Sequence, residues 1–240
     1  MGPGGREHRT YAAIEAVSQS EVVFGYTKYI DDAEDLLEGK IIKPSGMRQE
    51  EARVEAALAE AAEGKVVALI CSGDAGVYGL AGLSLTFRNT MGLTENVAIE
   101  VVPGVTAALA AAAALGSPLT VDYATISLSD LLTSREVIRK RLTAATEADF
   151  VVALYNPRSN TRHEPWDMAM QIFLMHRDHE TPCGIVFKAG TEQESARILT
   201  LNALSESADS VDMHSLVIIG NSQTHIIDNR LVTRRGYRGE

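Results

Sequence analysis

The apolar positions of this chain alternate between two patterns. Short continuous apolar runs, such as residues 66–71 and 150–155, are typical of strands buried on both faces. Longer segments with apolar residues three or four positions apart are typical of amphipathic helices. The predicted strands are 21–25, 66–71, 97–102, 124–128, 150–155, 184–188, 215–219 and part of 230–237, and the predicted helices are 6–18, 45–63, 78–90, 105–115, 133–145 and 166–176. This alternation predicts an α/β fold on parallel sheets with helical crossovers.

Breaks in the pattern predict the domain organisation. Glycine, serine and proline at 116–118 interrupt two similar α/β halves. We therefore predict an N-terminal α/β domain at 1–116, a linker at 117–122 and a C-terminal α/β domain at 123–240. A glycine-rich loop leading into a helix normally follows a strand, but no strand residues precede residues 2–5. The first strand of the N-terminal domain is therefore expected to be missing.

Composition narrows the class of protein. The 240 residues carry a net charge of −10, which argues against a nucleic-acid surface. No apolar stretch is long enough to span a bilayer, and no secretory leader is recognisable, so we expect no membrane association. The two cysteines lie in or beside strand-like runs and are expected to be reduced, as in a cytoplasmic protein.

Glycine-rich loops follow several predicted strands. In an open α/β sheet, ligands bind beyond the carboxyl ends of the strands, where such loops lie. The loop Ser72-Gly-Asp-Ala-Gly-Val-Tyr-Gly79 follows the strand at 66–71 and carries an acidic side chain, Asp74. Further loops occupy 2–5, 103–107, 154–157 and 219–222. A single loop of this kind is equally consistent with a strand-to-helix turn that binds no ligand. The prediction of a ligand site therefore depends on the presence of all five loops.

The loop sequences resemble those of a known family. Gly2-Pro-Gly4, Ser72-Gly-Asp-Ala75 and Pro103-Gly-Val-Thr-Ala107 resemble the motifs of the tetrapyrrole methylases, S-adenosylmethionine-dependent enzymes of corrin and sirohaem synthesis. Ala75 stands where the general pattern has proline. The longer stretches Ile126-Ser-Leu-Ser-Asp-Leu-Leu132, Ala153-Leu-Tyr-Asn-Pro157 and Val217-Ile-Ile-Gly-Asn-Ser-Gln-Thr224 are similar to members that methylate C17 of precorrin-3B and contract its ring in cobalamin synthesis.

The resemblance implies two α/β domains with S-adenosylmethionine, the methyl donor, in an active-site cleft between them. The implied cofactor-binding residues are Gly73, Asp74, Val77, Tyr78, Thr106, Ala107, Leu154 and Tyr155. The implied residues for an anionic tetrapyrrole substrate are Gly4, Ser127, Ser129, Arg158 and Arg162, with Arg6, Arg9, Arg88 and Lys188 as further cationic candidates. Core packing is the alternative for Val77 and Leu154, and helix capping is the alternative for Asp74. The family also implies a homodimer.

Asp130 is the candidate catalytic residue. Ring contraction requires loss of a hydroxyl proton, and Asp130 lies in a polar cluster with Ser127 and Ser129 at a strand end. The alternative is an ordinary loop or helix-capping aspartate. His176 and His179 have helical spacing, but their surroundings are polar and incomplete as a zinc site, so we predict no metal.

Three other functions stay open at this stage. The substrate could be cobalt-factor III or another tetrapyrrole instead of precorrin-3B. A nicotinamide-dependent oxidoreductase fits the α/β pattern, but Glu7 breaks the G-x-G-x-x-G spacing that begins at Gly2. A non-catalytic, cofactor-binding remnant would fit the expected loss of the first strand.

Overall fold

The computed structural model describes residues 1–238. The backbone forms two compact units, Met1–Ala107 and Ala108–Glu240. The division falls after Ala107, the first residue of the helix at 107–115, and therefore earlier than the linker predicted at 117–122. This helix belongs with the second unit because Leu115 packs against Gly184 and Gly116 pairs with Leu231. Within residues 1–238, no helix has both the length and the apolar character needed to cross a bilayer.

The first unit has a three-stranded parallel sheet. Its strands are β1 (Val22–Tyr26), β2 (Ile41–Ser45) and β3 (Val67–Ile70), and its helices are α1 (Tyr11–Gln19), α2 (Thr27–Asp31), α3 (Glu50–Ala62) and α4 (Ala81–Thr90). Short 3-10 helices occur at Arg6–His8 and Glu34–Leu36. The strand order is β2-β1-β3. The central strand β1 is buried on both faces, as expected for an apolar strand in a parallel sheet.

Three sequence predictions for the first unit were wrong. The helix predicted over 6–18 is divided into a 3-10 helix at Arg6–His8 and α1 at Tyr11–Gln19. Residues 97–102 were predicted as a strand, but they pair with no strand among the described residues. In particular, they do not extend the sheet beyond its edge strand β3, which pairs with β1 alone among these residues. The helix predicted over 45–63 begins only at Glu50, since the preceding residues Ile41–Ser45 form β2. An apolar run shows that a segment is extended and buried, but a strand also needs a hydrogen-bonding partner.

Up to residue 238, α5 (Ala107–Leu115) is followed in the second unit by eight strands and three helices. The strands are β4 (Gly116–Ser117), β5 (Tyr123–Ser127), β6 (Val151–Tyr155), β7 (Pro182–Phe187), β8 (Ser195–Thr200), β9 (Ser215–Ile219), β10 (Thr224–Ile227) and β11 (Arg230–Thr233). The helices are α6 (Arg135–Glu147), α7 (Glu164–His176) and α8 (Leu201–Glu206), with a 3-10 helix at Ala208–Ser210. One sheet has the order β5-β6-β9-β7-β8 and the other β10-β11-β4.

The larger sheet is mixed, whereas the sequence predicted a parallel one. Strands β5 and β6 are parallel, but β9 lies between β6 and β7 and is antiparallel to both. Ile219, at the end of β9, therefore pairs with Val152, near the start of β6. The loop 219–222 lies at the opposite end of the sheet from Tyr155 and cannot join the same site. An apolar strand sequence does not specify direction, since its side chains bury equally well either way.

The core of the second unit lies between this sheet and its helices. Trp166 and Phe173 of α7 are fully buried, and they belong to one apolar cluster with Leu142 of α6 and Val217 of β9. Helix α6 begins where the Ser134 side chain accepts a hydrogen bond from the Val137 amide, which is an ordinary N-cap. The core thus forms a rigid base for the loops that follow β5 and β6.

The contact between α5 and β7 supplies a stability test. A Cβ on Gly184 would lie 2.3 Å from Cδ1 of the buried Leu115. We expect Gly184→Ala to lower the free energy of unfolding by about 1–3 kcal/mol, because the close-packed side chain cannot move aside freely. Urea denaturation measures this change. Gly82→Ala in α4 is the control: a Cβ there meets nothing within 4 Å, so the variant should be neutral or stabilised. Equal effects at the two positions would contradict the packing.

Candidate active site

Asp74 joins two glycine-rich loops of the first unit. Its Oδ1 accepts a hydrogen bond of 2.8 Å from the Gly76 amide, and its Oδ2 accepts one of 2.8 Å from the Gly104 amide. Hydrogen bonds to a carboxylate are stronger than those between neutral groups. Asp74 does not cap α4, which begins seven residues later at Ala81. Its observed role is to hold the loops 72–79 and 103–107 together.

The two loops approach so closely that glycine is required. A Cβ on Gly104 would lie 2.2 Å from the carbonyl oxygen of Gly73. Gly73 itself has a φ of 66°, a conformation that favours glycine. Gly73 also exchanges two backbone hydrogen bonds with Gly2, of 3.1 and 2.8 Å. The structure therefore brings together three of the five predicted loops, at 2–5, 72–79 and 103–107.

The other predicted residues of the first unit lie on or beside these loops. Tyr78 is 53% exposed and has a φ of 55°, while Val77 is partly buried. Thr106 and Ala107 lie where α5 begins, and Gly4 lies in the first loop; all three are partly buried. Of these residues, Tyr78 has the most exposed side chain.

A second group of polar residues joins the ends of β5 and β6. The Ser127 hydroxyl accepts hydrogen bonds from the Ser129 amide at 3.2 Å and from Nδ2 of Asn156 at 3.0 Å. Arg162 donates to the Ser129 hydroxyl at 3.3 Å and to the Asn156 carbonyl at 2.7 Å. We call Ser127, Ser129, Asp130, Asn156 and Arg162 the strand-end cluster. These are predicted site residues except Asn156.

Asp130 is an ion-paired member of the strand-end cluster. Its Oδ2 accepts a hydrogen bond of 2.7 Å from Nε of Arg135, and Nε of Arg162 lies 4.0 Å from its Oδ1. The hydrogen bond from Arg135, assisted by the charges of both arginines, holds the pKa of Asp130 below its usual range. A carboxylate with a lowered pKa is a weak proton acceptor near neutral pH. The geometry therefore favours a positioning role over the predicted role as a base.

The predicted substrate arginines already have protein partners. Arg158 donates to the Ala208 carbonyl at 2.9 Å and to Asp209 at 3.1 Å. Arg162 is 11% exposed at its side chain and is bonded within the strand-end cluster. The further cationic candidates are also bonded: Arg6 and Arg9 to Asp35, Arg88 to the Val97 carbonyl, and Lys188 to Gln193. Any contact of Arg158 or Arg162 with an anionic substrate would have to share or replace these bonds.

The side chains of Leu154 and Tyr155 have different surroundings and therefore different possible roles. The Leu154 side chain is fully buried in the core of the second unit, so only its backbone could reach a ligand. The Tyr155 hydroxyl accepts a hydrogen bond of 2.9 Å from the Ala108 amide in the first turn of α5. This bond satisfies one of the amides that a helix N-terminus leaves unpaired. Tyr155 thus positions the start of α5.

Asn156 was missed as a site residue, although the sequence carried a signal for it. It follows β6 directly and precedes Pro157, and its φ of 49° lies in the left-handed region. Asparagine adopts this conformation more readily than most residues. Its position turns the side chain amide toward Ser127. An Asn-Pro pair directly after a buried strand is therefore a signal from which an ordered polar turn could have been predicted.

The cysteine thiols are shielded by burial, and the potential metal ligands are dispersed among the described residues. Cys71 and Cys183 are buried and unpaired with each other, and burial raises the pKa of the Cys183 thiol to about 12. Such a thiol is not a nucleophile at neutral pH. In the described part of the chain, no three histidine, cysteine, aspartate or glutamate side chains are grouped as a metal site would require.

Comparison with known proteins decides the family. The family described as Tetrapyrrole (Corrin/Porphyrin) Methylases matches residues 1–205. This chain belongs to the tetrapyrrole methylase family. The family and the assignment as an S-adenosylmethionine-dependent methyltransferase, which were predicted from the loop motifs, are confirmed. The α/β fold, which was predicted from the alternation of strand and helix patterns, is confirmed as well.

Individual relatives are similar along nearly the whole chain. The chain is 43% identical to the probable cobalt-factor III C(17)-methyltransferase of Salmonella typhimurium, over 99% of this chain and 97% of the relative. It is 36% identical to the precorrin-3B C(17)-methyltransferase of a Sinorhizobium species, over 95% and 89%. The crystal structure of the methyltransferase CobJ superimposes with a TM-score of 0.91 and 30% identity, over 97% and 96%. The chain spans 44% of a longer relative, the cobalt-factor III methyltransferase of Priestia megaterium.

Gly104 tests whether the close approach of the two loops matters. We expect Gly104→Ala to lower the free energy of unfolding by about 1–3 kcal/mol, because its Cβ would collide with a backbone oxygen that no side-chain rotation can move. Gly46→Ala is the matched control, since a Cβ there would lie 3.5 Å from the nearest atom, the Gln49 side chain. Chemical denaturation compares the two. Equal stability of the two variants would show that the loops separate at little cost.

Asp130 gives a pH-dependent prediction. Its pKa in the folded protein is lower than the ordinary 3.8, so the ionised carboxylate stabilises the fold above that value, and this stabilisation is lost as the pH falls through the lowered pKa. Asp130→Asn should therefore lower the Tm by a constant amount from about pH 8 to about pH 5, and the difference should close below about pH 4. Thermal unfolding across this range measures it.

The control for this titration is Asp209→Asn. The Asp209 side chain is fully exposed, and an ion pair at such a position contributes little to stability. Its Tm should follow that of the parent at every pH. If the Tm difference between Asp130→Asn and the parent stayed the same below about pH 4, the ion pair with Arg135 could not be the cause of that difference.

Proposed function

We propose that this chain transfers a methyl group from S-adenosylmethionine to C17 of a corrin precursor and that it also contracts the ring. The observation that carries the proposal is the similarity over nearly the full chain to relatives named for C17 methylation. Identity is 43% and 41% to two relatives named for cobalt-factor III and 36% to one named for precorrin-3B. We therefore place the cobalt-bearing substrate first and precorrin-3B second.

The loops held by Asp74 fit the methyl donor. Gly73, Ala75 and Gly104 have minimal side chains, which would let a ligand approach these loops closely. Val77 and the exposed ring of Tyr78 supply an apolar and aromatic surface suited to adenine. Asp74 accepts one protein hydrogen bond at each oxygen and has acceptor capacity left for an amine or hydroxyl.

Methyl transfer depends more on alignment of the methyl donor with C17 than on acid–base catalysis. Bound S-adenosylmethionine supplies an electrophilic methyl group on a sulfonium centre. In the transfer, C17 of the macrocycle forms a bond to the methyl carbon with electrons from its conjugated system, and the sulfur–methyl bond breaks with its electrons left on sulfur. The loops of the first unit would hold the donor and exclude water, which is the main contribution a protein makes to such a displacement.

The strand-end cluster would orient the substrate. The hydroxyls of Ser127 and Ser129 lie beside the guanidinium of Arg162, which offers a mixed polar surface for the carboxylate groups of a tetrapyrrole. We assign Asp130 the task of holding Arg135 and Arg162 in place, since its lowered pKa makes it a weak acceptor. The alternative role for Asp130 is to accept the proton that is lost during ring contraction.

We further propose that the protein acts as a cytoplasmic homodimer. The dimer is implied by the family resemblance, and two buried, unpaired cysteines fit a reducing compartment.

Turnover with both substrates tests the function. The purified chain is incubated with S-adenosylmethionine and either cobalt-factor III or precorrin-3B, and the products are analysed by mass spectrometry. We expect gain of one methyl group with at least one substrate, and the faster rate with the cobalt-bearing one. Asp130→Asn should still transfer the methyl group. If it methylates but accumulates uncontracted product, Asp130 is the proton acceptor and the positioning role is wrong.

Cofactor titration separates the alternative classes. Calorimetry should detect heat with S-adenosylmethionine and none with NAD. Heat with NAD alone would indicate an oxidoreductase and overturn the proposal. Binding of S-adenosylmethionine by a folded protein that methylates neither substrate would indicate a non-catalytic remnant. Leu201→Ala, in the core and away from the proposed site, controls for losses caused by general destabilisation.

A further inference from the structure

The loop between β5 and α6 carries two leucines that the core does not bury. Leu131 is 68% exposed and Leu132 is fully exposed, whereas Leu128, at the start of the same loop, is fully buried. A single exposed apolar residue is common on protein surfaces. Two adjacent leucines with this exposure form an apolar patch, and such patches mark binding surfaces when polar residues border them.

The loop that exposes the leucines is held at both ends. Asp130 directly precedes them and accepts a hydrogen bond of 2.7 Å from Arg135, the first residue of α6. Arg135 also forms an ion pair with Glu164, the first residue of α7. Ser134 caps α6 through the Val137 amide. The short segment 131–134 therefore connects two fixed points, so the leucines are exposed on an anchored loop.

Apolar side chains border the strand-end cluster at two points. Leu131 is the chain neighbour of Asp130, which belongs to the cluster. On another side, Arg162 donates to the sulfur of Met213 at 3.2 Å, and Met213 is 43% exposed. A thioether is a weak hydrogen-bond acceptor on an otherwise apolar side chain. Hydroxyl and guanidinium groups thus lie next to exposed apolar groups.

A ligand that suits this combination must itself be amphipathic. A corrin precursor has a large conjugated ring, which is apolar, and carboxylate groups at its periphery. The ring gains from contact with aliphatic side chains, because both surfaces leave water. The carboxylates need hydrogen-bond donors, and charged donors such as Arg162 bind them most strongly. The leucine pair and the strand-end cluster divide these two tasks between neighbouring residues.

A second copy of the chain suits the leucines less well. A stable protein interface covers about 800 Å² on each partner and involves about 20–30 residues. Two leucines supply a small part of such an area. The residues beside them in the chain are charged, namely Asp130 on one side and Arg135 and Glu136 on the other, whereas the centre of an interface is depleted in charged residues.

We propose that Leu131 and Leu132 form the apolar contact for the ring of the tetrapyrrole substrate, beside the strand-end cluster that orients its carboxylates. The inference rests on the proposed function, from which it takes the class of substrate. Contact with the ring removes apolar area of both leucines from water and so contributes affinity. The pair acts on substrate binding alone, and the affinity for S-adenosylmethionine does not depend on it.

Trp166 provides a direct measure of substrate binding. It is the only tryptophan of the chain and is fully buried. It lies two residues after Glu164, the ion-pair partner of Arg135. A conjugated tetrapyrrole absorbs light in the range of tryptophan emission, so the bound ring quenches Trp166 by energy transfer. Titration with cobalt-factor III or precorrin-3B, without S-adenosylmethionine, then gives dissociation constants in the absence of turnover.

Substitution of both leucines tests the contact. We expect Leu131→Ser with Leu132→Ser to raise the Kd for the tetrapyrrole, and its KM in methyl transfer, at least about tenfold. The Kd for S-adenosylmethionine, measured by calorimetry, should not change. The Tm should also stay the same, because both side chains are exposed. Leu131→Met with Leu132→Met should recover most of the lost affinity, since methionine is apolar and of similar size.

Ile226 and Ile227 supply the matched control. They are also adjacent aliphatic residues, 51% and 40% exposed. They lie in β10, which begins two residues after the loop 219–222 at the opposite end of the larger sheet from Tyr155. We expect Ile226→Ser with Ile227→Ser to bind the tetrapyrrole with the Kd of the parent.

The outcomes separate this inference from the proposed function. If the parent methylates its substrate and the leucine-to-serine variant binds it equally well, the apolar contact is wrong and the proposed function stands. If the parent neither binds nor methylates either tetrapyrrole, both are wrong. An equal loss of affinity in the isoleucine control would also contradict the contact, because the loss would then not be specific to the leucines.

Light scattering tests the competing occupant. The molar mass of the leucine-to-serine variant in solution should equal that of the parent. If the substitutions lower the molar mass and leave the Kd for the tetrapyrrole unchanged, a second copy of the chain covers the leucines, and the proposed contact with the ring is overturned.

Discussion

The candidate site depends on the two hydrogen bonds that the Asp74 carboxylate accepts. Each of its oxygens accepts one backbone amide, from Gly76 and from Gly104, so a single side chain holds two loops that have no regular secondary structure of their own. The loops can approach this closely only because Gly73 and Gly104 lack side chains. The close approach of the loops and their fixed position therefore have the same origin, the absence of side chains at these two glycines.

In the second unit, hydrogen bonds between side chains hold the chain segments of the candidate site together. Ser127, Asn156 and Arg162 hydrogen-bond across the ends of two neighbouring parallel strands, and Asp130 balances the charge of the arginines. The fully buried core beneath them, built around Trp166 and Phe173, keeps those strand ends rigid. The hydrogen bond from Arg135 and the charges of both arginines lower the pKa of Asp130, which is why Asp130 is better suited to positioning than to proton transfer.

Much of this could be predicted from the sequence. The strands β1, β3, β6 and β9 were recognisable as apolar runs, and the loop motifs identified the family and pointed to Gly73, Asp74 and Ser129. Predictions failed where a segment's role depends on a distant partner. Residues 97–102 were predicted as a strand, but they pair with no strand among the described residues. The sequence also did not show that the Leu154 side chain packs in the core or that Arg158 is bonded to Asp209; their contacts with ligands stay predictions.

By itself, the sequence determined which segments bury apolar surface, where glycine permits tight turns, and which family carries these loops, because each of these depends on local composition and spacing. The tertiary structure alone decided strand direction, as in the reversed β9, and the partners of every charged group. It also decided that Leu131 and Leu132 are exposed while Leu128 is buried. Direction, pairing and burial depend on residues far apart in the chain, and no local pattern encodes which of them will meet.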